Sequence, residues 1–581
     1  MRLIRNKILL LLNSVILFLI WIVLIYDAKS VFYGRMSIDP LAMINTLTPS
    51  FWIILIGFVL ICLVTLYFEA NTKWLHIVLL FQLYIMLYYT PFLLSGFSWS
   101  PDSLWHGGMA SYISEILSGK DIPLSSYARS YPLSFVTTYC VEQILGVDVF
   151  TYTLYIYPLA NIITVTALTY VFVARILNPK IAFASTLIAA SALHYFEPHV
   201  SPLSLGTIIV LASFILITME SRLARALSYF LILTLTLTHP ISPVSLGIFL
   251  SIIVLFDKCH GRFYPSKLDF YNLEARQQPL LVLLFLTIVW FLWTVFQAIL
   301  VYTGVRNAVL NVFNLKFFER LIYVAEWTAG GKSFIYEDIL KLNLIVYIIF
   351  LFVVSSLVLS NFINILKAWR KSLSLDYISY MKFMLAFTSI IYAVFGYALF
   401  LASGERFLLG RGLFYFILFG SICISMLCFI NAGKEKTYKY LLISGLFVIL
   451  IFFLITSFPI IAYSKEAYNS FTPSAGSGLS FLSKNVCLCR YSISMGADQQ
   501  LASYTNISNG LIIFKFPPNT NVIQPNFIAL RINSYYSISM RYDLSFQNNS
   551  FIILKNSLER DVNYNKIYSN SMLFEIFANT R

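Results

Sequence analysis

The sequence predicts an α-helical polytopic membrane protein of about thirteen transmembrane helices, amino terminus inside and carboxyl terminus outside, ending in an extracytosolic β-rich domain. Three observations carry that expectation. Of 581 residues, 59% are hydrophobic and 11% charged, whereas soluble domains carry about 25% charged. Apolar runs of about 16 to 25 residues recur from Ile8 to Tyr463, each long enough to cross a bilayer core or nearly so. From Ser464 onward the composition changes to Asn, Ser and Tyr with short alternating runs.

The net charge of +14 invites a nucleic-acid partner, but its placement argues against one. The basic residues are scattered among membrane turns, and a cytoplasmic bias of Lys and Arg accounts for the excess. The partners expected are therefore the membrane and its lipids. The amino terminus, MRLIRNK before the run from Ile8 to Tyr26, has the charge pattern of a secretory signal. That run is too long for a signal core and no small-x-small site follows, so an uncleaved first span is expected.

The spans fall at 8–26, 51–69, 74–95, 149–176, 181–196, 203–219, 225–238, 242–257, 279–302, 342–366, 383–402, 412–431 and 440–463. With the amino terminus inside, the cytoplasmic turns hold Lys258, Arg262, Lys267, Arg276, Lys367, Arg370, Lys371, Lys434, Lys436 and Lys439. The opposite turns around Pro198 and His239 hold no Lys or Arg, and this asymmetry sets the orientation. The segment from Tyr131 to Gly146 would be about 24 Å long as a helix, short for a span. If it crossed, every later basic turn would move outside. It is expected to lie in the outer face as an amphipathic helix, with Glu142 and Gln143 near its end.

Two domains follow: 1–463 in the membrane, with 96–148 as the first extracytosolic loop and its juxtamembrane helices, and 464–581 outside. Alternating runs at 510–516, 526–534 and 550–555 read as strands. Two sequons, at Asn506 and Asn548, matter only on an extracytosolic surface. Seven cysteines suggest no disulfide framework. The Cys487-x-Cys489 pair has no histidine in the tail to complete a zinc site.

Polar chemistry concentrates in the outer loops. Asp102 and His106 are four residues apart, which places them on one helical face if Asp102 starts a helix. A carboxylate there caps a helix in the bland case and takes the proton of an acceptor hydroxyl in the catalytic one. Arg129 and Tyr131 close the same loop as candidate substrate contacts. Glu197, His199 and His239 end spans on the same side and are further candidates. The turn holding Glu405, Arg406 and Arg411 puts two arginines outside, against the inward bias. An arginine fork there would answer the charge of a lipid phosphate with paired hydrogen bonds. Lys332, beside Gly330-Gly331, marks a candidate flap in the loop 303–341. It is not a nucleotide loop, because the GxxxxGK[ST] spacing is missing. The cofactor stays open. A divalent ion is one option, with Asp102, Glu197 and His199 as candidate ligands and His106 and His239 as further donors.

The ordered series Asp102-Ser-Leu-Trp-His106-Gly107, Gly119-Lys-Asp-Ile-Pro123, Ser130-Tyr-Pro-Leu133 and Gly146 resembles the first luminal loop of the GT-C superfamily. These are polytopic membrane glycosyltransferases that use polyprenyl-phosphate-linked donors. The resemblance is close over about 50 residues and extends in outline to the turn near Pro198. It implies transfer of a sugar to an extracytosolic acceptor with inversion, an outside-facing site, and the acidic residue at Asp102 as base. It also implies an acidic residue at the outer end of a later span pair. There this chain has Glu197, with His199 beside it, where the family more often has Asp. An arginine near the outer end of a late span points in the same way to Arg406. Two other classes remain open at this level. One is a transporter or flippase, which would tend to show repeated halves and mid-membrane charges. The other is a non-catalytic envelope scaffold.

Overall fold

The computed structural model describes residues 2–35, 46–67, 73–95, 126–148, 151–192, 198–219, 221–263, 273–298, 377–403 and 406–430. It also describes five strands between 491 and 579, Gly445, and separate positions within 103–117 and 302–363. The helices are α1 (Arg2–Arg35), α2 (Pro49–Tyr67), α3 (Lys73–Tyr88), α4 (Thr90–Ser95), α5 (Ser126–Ser130), α6 (Leu133–Leu145), α7 (Tyr157–Ile176) and α8 (Pro179–Ala192). Then follow α9 (Pro202–Ile217), α10 (Arg222–Thr238), α11 (Ser242–Phe263), α12 (Leu273–Phe296), α13 (Tyr377–Ser403) and α14 (Arg406–Ile430). A single π turn, Tyr152–Ile156, runs directly into α7.

Helix starts are set by local polar caps. Ser201 and Ser204 form a reciprocal capping box on α9. The Ser221 hydroxyl accepts the Ala224 N–H at 3.0 Å, and the Asn178 side chain accepts that of Ile181 at 2.9 Å. Gly146 ends α6 at φ 63°, a left-handed position that suits glycine.

Long-range hydrogen bonds fix the direction of each helix. His76 near the start of α3 meets Tyr170 near the end of α7 at 3.4 Å. Further along, Tyr88 donates to the Ala190 carbonyl and Tyr89 to that of Tyr155, at 3.1 and 3.0 Å. Thus α3 runs with α8 and against α7. Tyr157 lies 2.6 Å from Ser204 and Arg175 donates to Thr218, so α7 and α9 are parallel. Tyr392 donates to the Ser245 carbonyl at 2.6 Å and Tyr380 to that of Phe256, which sets α13 against α11. Buried Phe172, Phe214, Phe249 and Phe419 join α7, α9, α11 and α14, with Phe214 and Phe249 centroids 4.2 Å apart. At this core the bundle is one packed body.

The bundle has two distinct ends. Helices α7, α9, α11 and α14 start where α8, α10 and α13 stop, and the site lies at that end. The opposite end carries Lys73, Arg175, Lys180, Arg222, Arg225, Lys258 and Lys382. The chain leaves α4 and enters α7 at the same end, as the Tyr89–Tyr155 bond requires, so α5 and α6 between them do not change ends. α6 packs on α9 and α10, with an inverted pattern. Ser134, Phe135, Thr138 and Glu142 face inward while Val136, Ile144 and Leu145 are exposed, Ile144 at 81%. The helix expected between Tyr131 and Gly146 is therefore present and amphipathic, with Glu142 buried. Its polar residues Ser134, Thr138 and Glu142 thus turn toward the protein, while Gln143 stays exposed with Ile144 and Leu145.

Six helices among the described residues are long and apolar enough to cross a membrane: Lys7–Lys29, Pro49–Leu66, Tyr152–Ile176, Pro279–Phe296, Tyr380–Leu399 and Arg411–Phe429. Shorter apolar helices are Lys73–Tyr88, Pro179–Ala190, Pro202–Ile217 and Ile348–Ser360. The protein is thus a mostly helical, multi-pass membrane protein. The expected span 440–463 lies outside the described residues apart from Gly445. The span expected at 74–95 is two helices, α3 and α4, separated at Tyr89. In the tail, β1 (Tyr491–Ser494), β2 (Leu511–Phe514), β3 (Phe527–Arg531), β4 (Tyr564–Asn570) and β5 (Phe574–Asn579) form one sheet of order β2-β1-β3-β5-β4. β1 is parallel to β2 and β3, and β5 is antiparallel to β3 and β4.

Candidate functional site

The site grows from two short turns at the polar end of the bundle. In the first, Pro198 stops the chain and His199 stands two residues before the Ser201 cap of α9. The Ser204 hydroxyl donates to the His199 carbonyl at 2.9 Å and meets Tyr157 from α7. In the second, His239 closes α10 and Pro240 breaks the helix. The His239 Nδ1 then receives the backbone N–H groups of Ile241 and Ser242, both at 3.3 Å, and lies 3.0 Å from the Ser242 hydroxyl. His239 therefore satisfies the first turn of α11 as a cap would.

The two turns touch because Gly206 leaves room. A Cβ at Gly206 would run into the Ser242 hydroxyl and come within 3.4 Å of the His239 Cβ. α14 closes the third side. Gly412 lies against Gly396 and the Tyr392 carbonyl of α13, so the start of α14 is pressed on that helix. One residue earlier, Arg411 is half-buried and within electrostatic reach of both His239 and Tyr415. Tyr415 in turn bonds Thr207 of α9 and Ser245 of α11.

His106 completes the group from the first loop. Its ring lies 5.6 Å from Phe135 of α6, and it too acts electrostatically on His239. The described residues around it, Ser103, Gly107, Met109, Ala110 and Ile113, are helical. Met109 packs with Ala128 and Phe135. The chain pins this platform to α12, where Trp293 donates to the Ser130 carbonyl at 2.9 Å and Ser130 to that of Gln297 at 3.3 Å.

Burial lowers the proton affinity of His239 well below the ordinary histidine value, and Arg411 and then His106 add to the effect. Glu142 on α6 moves the other way. Burial first and then Asp148 raise its carboxyl to about 8, and its Oε1 makes no hydrogen bond among the described residues. Tyr131 is fully buried beside Tyr127, and burial raises its phenol.

Of the residues singled out in the sequence, His106, His199, His239 and Arg411 therefore stand at one end of the bundle. Two of them, Arg411 and His106, each act electrostatically on a third, His239. Arg129 is exposed on α5, and no described contact brings it to this group. Tyr131 belongs to the buried platform. Asp102, Glu197, Lys332 and Glu405 lie outside the described residues, as does the side chain of Arg406, whose backbone opens α14. Among the described residues no group of three His, Cys, Asp or Glu is placed to hold a metal ion, and of the candidate ligands Asp102, Glu197 and His199 only the last is described. Sequence reasoning missed Gly206, Ser242, Ser204 and Tyr415. The Ser201-x-x-Ser204 spacing was a readable capping signal. No local signal marks Gly206 or Tyr415, because they act across helices.

No family model matches the sequence, and no curated protein does. Among solved structures, the chain resembles the archaeal oligosaccharyltransferase AglB from Archaeoglobus fulgidus bound to an inhibitory peptide and a dolichol-phosphate. The identity is 10% and the TM-score 0.47, over 88% of this chain and 74% of that one. The Archaeoglobus fulgidus oligosaccharyltransferase tethered to an acceptor peptide matches at 10% identity and TM-score 0.48, over 89% and 75%. The same enzyme with Zn and sulfate matches at 10% and 0.45, over 87% and 73%. At these values no residue role is carried across, and the functional reading rests on the residues of this chain.

Proposed function

We propose that the protein is a GT-C-type membrane glycosyltransferase. It moves a sugar from a polyprenyl-phosphate-linked donor to an extracytosolic acceptor, with inversion and with Asp102 as the base. The observation that carries this reading is the gathering of His106, His239 and Arg411 at the end of the bundle opposite its basic turns. By the inward bias of Lys and Arg, that end faces out of the cytoplasm, and with about thirteen spans the tail 464–581 lies there too.

The chemistry divides among these groups. As the sugar leaves, negative charge grows on the lipid phosphate. The Arg411 guanidinium would present fixed positive charge to it, reinforced by the positive dipole ends of α9, α11 and α14, which start at the same end of the bundle. Arg406, one and a half turns earlier on α14, would extend the same clamp. Asp102, one turn before His106, would remove the acceptor's proton, with His106 orienting it. Beneath these groups Tyr157 bonds Ser204, and Tyr415 bonds Thr207 and Ser245, which ties α7, α9, α11 and α14 together at this end. Where a divalent ion is used, Asp102, Glu197 and His199 would hold it and it would add charge at the phosphate.

The test is transfer of labelled sugar from polyprenyl-phosphate donors in membranes, with wild type beside Asp102→Asn. Transfer is expected to vanish in the variant at unchanged abundance. A fully active Asp102→Asn variant removes the proposed base, and wild type inert with every donor lipid removes the enzyme.

A further inference from the structure

We propose that His239 is a fixed hydrogen-bond donor to the anionic oxygen held beside Arg411, and that Gly206 and Ser242 are the positioning residues that fix it. The ligand named here rests on the glycosyltransferase reading; the state of the ring does not. A backbone N–H can only donate, and two of them, from Ile241 and Ser242, point at Nδ1 at 3.3 Å. Nδ1 must therefore offer its lone pair, and the Ser242 hydroxyl at 3.0 Å turns its own proton toward the same atom. The one proton of the ring is then on Nε2. Among the described residues nothing bonds to that nitrogen.

Two consequences follow from this direction of bonding. A histidine that ligates a metal normally donates its other ring nitrogen's proton to a carboxylate or carbonyl. His239 has the reverse arrangement, which takes it out of the possible metal donors and suits it to an anion instead. The ring also keeps its proton at Nε2 without becoming a cation, so it adds a directed donor and no charge to a pocket where Arg411 and His106 already act. The neutral ring is compatible with its 6% exposure. Gly206 makes the arrangement possible, since any side chain there displaces the Ser242 hydroxyl and crowds the His239 Cβ.

The test uses the full-length protein, labelled with nitrogen-15 histidine, in lipid nanodiscs. The resonance lost in His239→Gln is expected to be that of a neutral ring protonated at Nε2, and to shift when a polyprenyl monophosphate is added. A ring protonated at Nδ1, or an imidazolium at neutral pH, overturns the proposal. Binding of the same lipid gives the second arm. The Gln amide places a donor near the position of Nε2, so His239→Gln is expected within about threefold of wild type, while His239→Leu loses about tenfold or more. Equal loss in both variants overturns the donor role. Gly206→Ala is expected to bind like His239→Leu and to show a mixed tautomer, and an unchanged spectrum there removes Gly206 from the account. An intact Nε2–H ring in a protein that binds no polyprenyl phosphate overturns the ligand, and with it the enzyme reading, while leaving the ring assignment measured.

Discussion

At one end of the bundle Arg175 stands exposed, its Nε donating to the Thr218 hydroxyl at 2.9 Å and a terminal nitrogen to the Thr218 carbonyl at 3.1 Å. At the other end Arg411 is half-buried, close enough to His239 to depress its proton affinity. Both residues are arginines near the end of an apolar helix. The first caps a helix end and meets water, and Lys73, Arg222 and Lys258 near it are likewise exposed. The second is half-buried and acts on His239 and Tyr415, where a lower dielectric multiplies its effect on a charge. Sequence position already put them on opposite sides, and burial separates them further. A charge whose removal affects topology weakly and chemistry strongly belongs to the second kind.

The largest expected effect breaks the comparison on the polar side. Arg411→Met is expected to lower sugar transfer by about a hundredfold or more, the scale of one lost electrostatic donor of about 3 kcal/mol. Arg411→Lys restores the point charge without the fork and is expected to fall between the two. Initial rates at saturating donor measure both; a variant with wild-type rates places the phosphate elsewhere. Gly206→Ala comes next. Its Cβ collides with the Ser242 hydroxyl, and overpacking of this kind costs about 1–3 kcal/mol. It is expected to lower the melting temperature in detergent and the transfer rate together, and an unchanged melting temperature shows that the two turns are not in contact.

That His199, His239 and Arg411 share one end of the bundle was legible in the sequence, because they fall in turns opposite those where Lys and Arg collect. Helix starts were legible where a cap is local, as at Ser201 and Ser221. The contact between the two turns was not. It depends on an absent side chain at Gly206 meeting Ser242 from another helix, and a single glycine in an apolar run has many explanations. Nor was the burial of Glu142 on α6 legible. Glu142 reads as a polar residue at a helix end, but its 5% exposure comes from packing against α9 and α10. For Asp102 the sequence remains the whole source, since it lies outside the described residues.

Glu142 sharpens the comparison through pH. Its carboxyl is raised to about 8 by burial and by Asp148. When folded it holds a proton that the unfolded chain releases in the ordinary carboxylate range. The stability it lends is therefore fully present below that range and is lost as the pH climbs through about 8. The melting temperature of the wild type is expected to fall between about pH 5 and about pH 8.5, and that of Glu142→Gln to change less over the same interval. Parallel curves would mean that the carboxyl is solvated and α6 is not seated as described.

The smallest expected effect lies at the basic end. Arg175→Met removes two hydrogen bonds to Thr218, but both partners are at a helix end, where water replaces the lost donors. An exposed charge of this kind contributes under about 1 kcal/mol. The orientation also survives, because Lys73, Lys180, Arg222 and Arg225 remain on the same side and the bias is set by their sum. Transfer is thus expected to stay within about twofold of wild type, as for most surface changes. The informative result is the opposite one. If Arg175→Met abolished transfer at normal abundance while Arg411→Met did not, the ends would have been assigned the wrong way round, and the buried arginine would be the structural one.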